Sequence, residues 1–275
     1  MRAPCLPPGW YPRQKAQIEE FLGQYVNRSA GAHAAIAPHA GWYYSGITAA
    51  QAVASLDPRA ETVAVLGGHL PSSMPILAAS EDGVETPLGT MEIDKELLGE
   101  FKKLLSEDIK PDRYSDNTVE VLLPMVHYFF HNAKLLWLRF PSELSSFEAG
   151  KLLDKAASSL KRRLAVLAST DLTHYGANYG FSPKGRGKPA LDWVKNVNDA
   201  AFIKAVLGGD PSQVLERAEE DHSACSAGAV LGAIGFAAAQ AKSAKLIEYK
   251  TSADVRGNNE GIPDSFVGYA AISFA

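Results

Sequence analysis

Cysteine is almost missing from this chain: Cys5 and Cys225 are the only two in 275 residues. So sparse a pair excludes a disulfide framework, and reduced thiols in the cytoplasm are the expectation. Long apolar runs are missing too, and none reaches the roughly 18 residues that a membrane span needs. The opening MRAPCLPPGWYP is too proline-rich and too short in apolar residues for a signal peptide. Neither charge sign dominates: 27 Lys and Arg face 31 Asp and Glu, interspersed, for a net charge of −4. Such a chain carries no electrostatic footprint for nucleic acid or an anionic membrane. Its one basic cluster, Lys161-Arg162-Arg163, closes a helix whose dipole it complements. No Ser/Gly/Pro-rich linker, composition shift or repeat divides the sequence, so residues 1–275 read as one α/β domain. The G-x-G-x-x-G spacing is absent as well, which argues against a dinucleotide cofactor.

What is present is a set of apolar runs that end on histidines. Ala34–Pro38 leads into His39, Thr62–Leu66 leads through Gly67-Gly68 into His69, and Leu164–Ala168 leads through Ser169-Thr170-Asp171 to His174. Buried strands of an open α/β sheet place whatever follows their carboxyl ends in the ligand crevice. Between these strands the spacing predicts helices over Gln17–Val26, Ile47–Leu56, Lys95–Leu105 (capped by Asp94), Val119–Phe130 and Phe147–Leu160. Further helices are expected over Asp192–Leu207, Pro211–Glu220 and Ala224–Ala241. Lys134–Leu138, Lys245–Lys250 and Phe266–Phe274 read as strands, the last two open to antiparallel pairing, and Tyr175–Pro189 as a loop with the composition of a lid. The alternation predicts a three-layer α/β/α sandwich around a mostly parallel sheet.

Cys225, in DHSACSAG, stands at the expected start of an Ala/Gly-rich helix, where backbone N–H groups would favour its thiolate. Asp171 and His174, three residues apart, could pair so that the carboxylate orients the ring. Glu120 lies inside the apolar VEVLLP and needs a partner, which the site could supply. His33, His127, His131 and Cys5 have no such context and read as packing or surface residues, and His222 as surface or a neighbour of the site.

Taken in order, GWYP, IAPHAGWYYSG, VLGGH, ETPLG, VEVLLP, STDLTHYG, DHSACSAG and VGYAA span nearly the whole chain. This ordered set resembles the Memo family, whose bacterial and archaeal members are often paired with radical-SAM and AMMECR-type proteins. The resemblance implies a fold similar to class III extradiol dioxygenases, with a mixed sheet between helical layers. It implies a metal, iron or copper, held by His39, His69 and Cys225, with zinc also compatible with a thiolate ligand. Asp171, His174 and Glu120 match further residues of the family's site. Two departures stand out: Gly67-Gly68-His69 is one residue shorter than the usual G-P-x-H, and Asn117 replaces a usual histidine. Two functions follow as expectations. One is a cytoplasmic, metal-dependent oxidoreductase acting on a small organic or aromatic substrate, with His174 and Asp171 as acid/base groups. The other is a non-catalytic adaptor that uses the same pocket for a peptide or a radical-SAM partner.

Overall fold

The computed structural model describes residues 1–25, 31–106, 108–255 and 261–275. Along the chain, α1 (Lys15–Gly23) is followed by β1 (Ala34–Ala37), α2 (Trp42–Ser55) and β2 (Thr62–Leu70). The short strands β3 (Leu77–Ala78), β4 (Gly83–Thr86) and β5 (Gly89–Glu92) lead to α3 (Lys95–Leu104), β6 (Lys110–Pro111) and α4 (Asn117–Glu120). Next come α5 (Leu123–Phe129), β7 (Lys134–Pro141), α6 (Ser145–Ser159), β8 (Leu164–Ser169) and β9 (His174–Gly176). The chain closes with α7 (Lys188–Trp193), α8 (Asp199–Gly208), α9 (Pro211–Glu220), α10 (Ala227–Ala239), β10 (Ala244–Thr251) and β11 (Ser265–Phe274).

The main sheet runs β10-β11-β1-β8-β2-β7-β3-β6, with β9 added against β11. β1, β8, β2 and β7 pair in parallel, so their carboxyl ends lie at one edge. β11 runs antiparallel to both β1 and β10, which brings its amino end to that same edge. Each central strand is buried on both faces, which is why it reads as a continuous apolar run rather than an alternation. Ala34, Ile36, Ala64, Leu66, Val166 and Leu138 face one core, under α3, α6, α8, α9 and α10. Their neighbours Ala35, Ala37, Val63, Val65, Leu167 and Trp137 face the other, under α1, α2 and α5. The fold is therefore α/β, a mixed sheet between two helical layers.

Local chemistry explains the helix boundaries. Asp94 caps α3 by accepting the Leu97 N–H at 3.0 Å. α10 is apolar all round because it is enclosed by the sheet, α6 and α9, and a Cβ at Gly235 would overlap the Phe147 carbonyl oxygen. Three expectations are corrected. The helix expected over 119–130 is two helices: Pro124 has no N–H for the Glu120 carbonyl, and the chain breaks between α4 and α5. The helix expected over 192–207 contains a π turn, Val194–Asn198. The helix expected from residue 224 begins at Ala227, leaving Cys225 in the loop before it. Val26, at the end of the first expected helix, lies outside the described residues.

The 175–189 segment is tied down at both ends of its first half. Tyr175 stacks on Phe266 at 5.1 Å, and its hydroxyl accepts the Lys184 N–H at 2.9 Å and donates to the Gly185 carbonyl at 3.0 Å. Among the described residues no helix is long and apolar enough to cross a membrane.

Candidate metal centre

The carboxyl ends of β1, β8 and β2 converge beside the loop that precedes α10. His39 follows β1 and is 1% exposed. Its backbone N–H donates to Asp171 Oδ1 at 2.7 Å, and its carbonyl accepts from Asn117 Nδ2 at 3.0 Å. Its ring Nδ1 lies 2.8 Å from Ser169 Oγ at the end of β8. With that nitrogen engaged, Nε2 is left to face Cys225 Sγ, 3.2 Å away.

His69 arrives differently. Gly67 pairs with Arg139 and Leu70 with Pro141, so β2 carries an extra residue against β7, a bulge at Gly68-His69. His69 takes a left-handed backbone with φ of 56°. Bulges re-aim side chains in this way. Its Nδ1 sits 2.9 Å from Asp116 Oδ2, and its ring meets that of His39 edge to face at 4.9 Å. The glycine-rich approach shorter than the family's usual pattern thus still delivers the imidazole to the site.

Cys225 is held by its backbone N–H, which donates to the Asp171 carbonyl at 3.2 Å, while the next N–H, of Ser226, donates to Thr170 Oγ1 at 3.2 Å. The donor atoms of His39, His69 and Cys225 all lie within 4.8 Å of one another. Metal–sulfur bonds near 2.3 Å and metal–nitrogen bonds near 2.0–2.1 Å separate tetrahedral ligands by about 3.5 Å. Two Nε2 atoms freed by Nδ1 partners, together with a thiolate, therefore fit a metal ion with open positions. Thiolate and imidazole suit zinc, copper and iron rather than hard cations.

The three groups act on one another electrostatically. Burial opposes charge on the Cys225 thiol, yet the adjacent His39 and His69 rings hold it well below its usual range. The helix end is not the cause, since Cys225 precedes the Ser226 cap position. Burial likewise opposes charge on His69, but hydrogen bonds to Asp116 and Cys225 outweigh it and lift the ring to about 10. His39 moves upward for the same reason, through Cys225 and Asp171.

A cavity of about 610 Å³ opens above His39 and His69. Its walls are aromatic and polar: Trp10, Tyr43, Tyr44, Tyr179 and Tyr269, with Asn117, Asn178, Ser252 and Ser265 between them. Asp171 and His174 also line it. They do not form the pair expected from their spacing. Asp171 spends its Oδ1 on the His39 N–H, and burial pushes its carboxyl above the usual range. His174 Nδ1 instead bonds the Leu172 carbonyl at 3.1 Å, and its ring meets Tyr179 edge to face at 5.0 Å.

Glu120 is not on the cavity wall. Its carboxylate accepts the N–H groups of Cys5 (2.8 Å) and Leu6 (3.0 Å), the Cys5 thiol (2.8 Å) and the Tyr11 hydroxyl (2.8 Å). It anchors the N-terminal arm, whose Pro8, Gly9 and Trp10 line the cavity. The partner that Glu120 needs is thus the arm, and the expected place of its carboxylate beside the metal ligands is not where the structure puts it. Sequence reasoning missed Asp116 and Arg139. Arg139, a charge inside the apolar stretch LLWLRFP and 3% exposed, was the available signal.

The family model described as Memo-like protein matches residues 2–273. A MEMO1 family protein of Pyrococcus abyssi is 33% identical over 293 residues, covering 99% of this chain and 98% of its own. One of Thermococcus onnurineus is 31% identical over 296 residues, covering 100% and 99%. A solved structure of an uncharacterized protein from Escherichia coli K12 has a TM-score of 0.48 at 12% identity, over 88% of this chain and 99% of that one. On the family match and these relatives, the chain belongs to the Memo-like protein family.

Proposed function

We propose that His39, His69 and Cys225 hold a non-haem, redox-active metal, iron or copper, and that the adjoining cavity takes a small organic or aromatic substrate. The convergence of two Nε2 atoms and a thiolate within 4.8 Å carries this reading. Bound there, such an ion would supply Lewis acidity and electron transfer at the positions the protein leaves open. The chain's own residues do the rest. The aromatic walls exclude water and stack against a planar ligand. His174 donates its Nδ1–H to the Leu172 carbonyl, since a carbonyl can only accept, so its Nε2 is the nitrogen that exchanges a proton with a ligand in the cavity. Asp171 fixes the His39 peptide rather than acting on substrate.

A second reading, a binding protein for a peptide or partner protein, draws on the rim. Tyr43, Tyr44 and Tyr179 are 69%, 43% and 46% exposed, a solvated aromatic edge of the kind that anchors protein contacts. Metal analysis of protein purified without a histidine tag and without added metal separates the two. The metal reading expects about one ion per chain and its loss in Cys225→Ser, with the fold intact by circular dichroism. Metal-free wild type that stays metal-free on iron or copper titration supports the binding-protein reading.

A further inference from the structure

The bulge that delivers His69 creates two problems. A non-glycine residue in the left-handed region is strained, and a bulge frees a carbonyl from its ladder. One buried side chain answers the second. Arg139, on the facing strand, donates from Nε to the Gly68 carbonyl at 2.9 Å. Its Nη2 lies 3.3 Å from Asp116 Oδ2, the same oxygen that meets His69 Nδ1 at 2.9 Å. Its Nη1 lies 3.4 Å from Asp112 Oδ1, and Asp112 Oδ2 accepts the Trp137 indole N–H at 2.9 Å. Arg139 and Asp112 are 3% and 1% exposed, so the group is packed away from water.

Asp116 divides its two oxygens. Oδ1 caps α4 through the Thr118 N–H at 2.8 Å. Oδ2 takes the histidine and the arginine together. A carboxylate so held by a guanidinium can turn neither away from the ring nor toward solvent. It fixes Nδ1 as the protonated nitrogen and leaves Nε2 as the donor. The His39 ring differs: its Nδ1 partner is the Ser169 hydroxyl, and the nearby Asp171 carboxylate bonds its backbone N–H instead.

We infer that Asp116 and Arg139 are positioning residues for His69: the pair sets which ring nitrogen faces Cys225 and holds the bulge that carries it. This rests on the metal reading above. It makes the two histidines unequal, one neutral-backed and buried, the other carboxylate-backed and reachable from solvent.

The test uses the full chain, stripped of metal, with Zn(II) and Co(II) as probes. Asp116→Ala should weaken Zn(II) about 10–100-fold, the usual effect of losing such a partner. Asp116→Asn retains one acceptor oxygen, which can keep the cap but not serve the ring as well, so it should hold the fold and still weaken Zn(II). Arg139→Lys, which retains charge but not the three-way fork, should fall between wild type and Asp116→Ala.

A pure capping role would also lower stability, so the deciding readout is spectroscopic. In the Co(II) protein, a histidine bound through Nε2 shows a strongly shifted, exchangeable Nδ1–H proton. Wild type should show two such protons. Asp116→Ala should lose one to solvent exchange, and so should Asp116→Asn, whose one acceptor oxygen is taken by the cap. Both protons unchanged in folded Asp116→Ala, with Zn(II) affinity equal to wild type, would overturn the inference and leave the metal reading standing. Wild type that takes up neither probe would overturn both.

Discussion

Gly68 has no room for a side chain: a Cβ there would overlap the Cβ and Oγ of Ser226, the residue beside Cys225. The backbone of the bulge is therefore packed against the Ser226 side chain of the thiol loop, and their spacing is set by a missing methyl. Gly68→Ala should cost about 1–3 kcal/mol, the usual price of overpacking, and should separate His69 from Cys225. Chemical denaturation reads the first effect and Zn(II) titration the second. The two cysteines offer a further contrast. Burial and the neighbouring Glu120 carboxylate push the Cys5 thiol up, whereas the imidazoles hold Cys225 down. In metal-free protein, iodoacetamide should label Cys225 faster near neutral pH than an ordinary thiol, and with a shallower dependence on pH, because the imidazoles favour its thiolate. Cys5 labelling should climb more steeply with pH, and Zn(II) should protect Cys225 alone. Equal labelling of both thiols, with and without Zn(II), would mark Cys225 as an ordinary packed residue.

Among the elements, the π turn at Val194–Asn198 has a visible consequence. It places Asn198 and Asp199 beneath the loop that carries Asp171 and His174, where Asn198 Nδ2 donates to Thr173 Oγ1 at 2.9 Å. Asp199 accepts the Thr173 N–H at 3.1 Å and the Tyr249 hydroxyl at 2.7 Å, yet full burial still pushes its carboxyl up to about 6. The native state therefore keeps a proton that the unfolded chain loses near pH 4. Stability from this group is present below pH 4 and is lost as pH rises to about 6, on the order of 3 kcal/mol. Asp199→Asn should flatten that decline, read as the difference between wild-type and variant urea midpoints at pH 4, 5 and 6. A variant whose pH slope matches wild type would discard Asp199 as its source. This network was not legible in the sequence, because i, i+3 and i, i+4 spacing reads the same through a single π turn. His39 and His69 were legible, because a histidine after an apolar run says both where the strand ends and which edge it reaches; Cys225 was read at a helix start that the structure places two residues later. Arg139 and Asp116 were not, because their meeting depends on the bulge, a register event that no local pattern announces. Glu120 was legible as a charge needing a partner, but not as an anchor for an arm more than 100 residues away.

Over the whole molecule, three parallel strand ends, one antiparallel strand start and an N-terminal arm build a cavity around one cluster of donors. An ion that binds the native centre and not the unfolded chain should stabilise the protein by about 4 kcal/mol at a thousandfold excess over its dissociation constant. The rise in melting temperature should disappear in His39→Ala and Cys225→Ser but persist in Cys5→Ser, and a rise of equal size in all of them would point to metal bound elsewhere. Everything in this reading depends on the identity of the ligands. X-ray absorption at the edge of the native metal, on protein purified without a tag, measures them directly. One sulfur near 2.3 Å and two imidazole nitrogens near 2.0–2.1 Å are the result expected of a His39–His69–Cys225 centre. A shell of oxygen and nitrogen with no sulfur would contradict it.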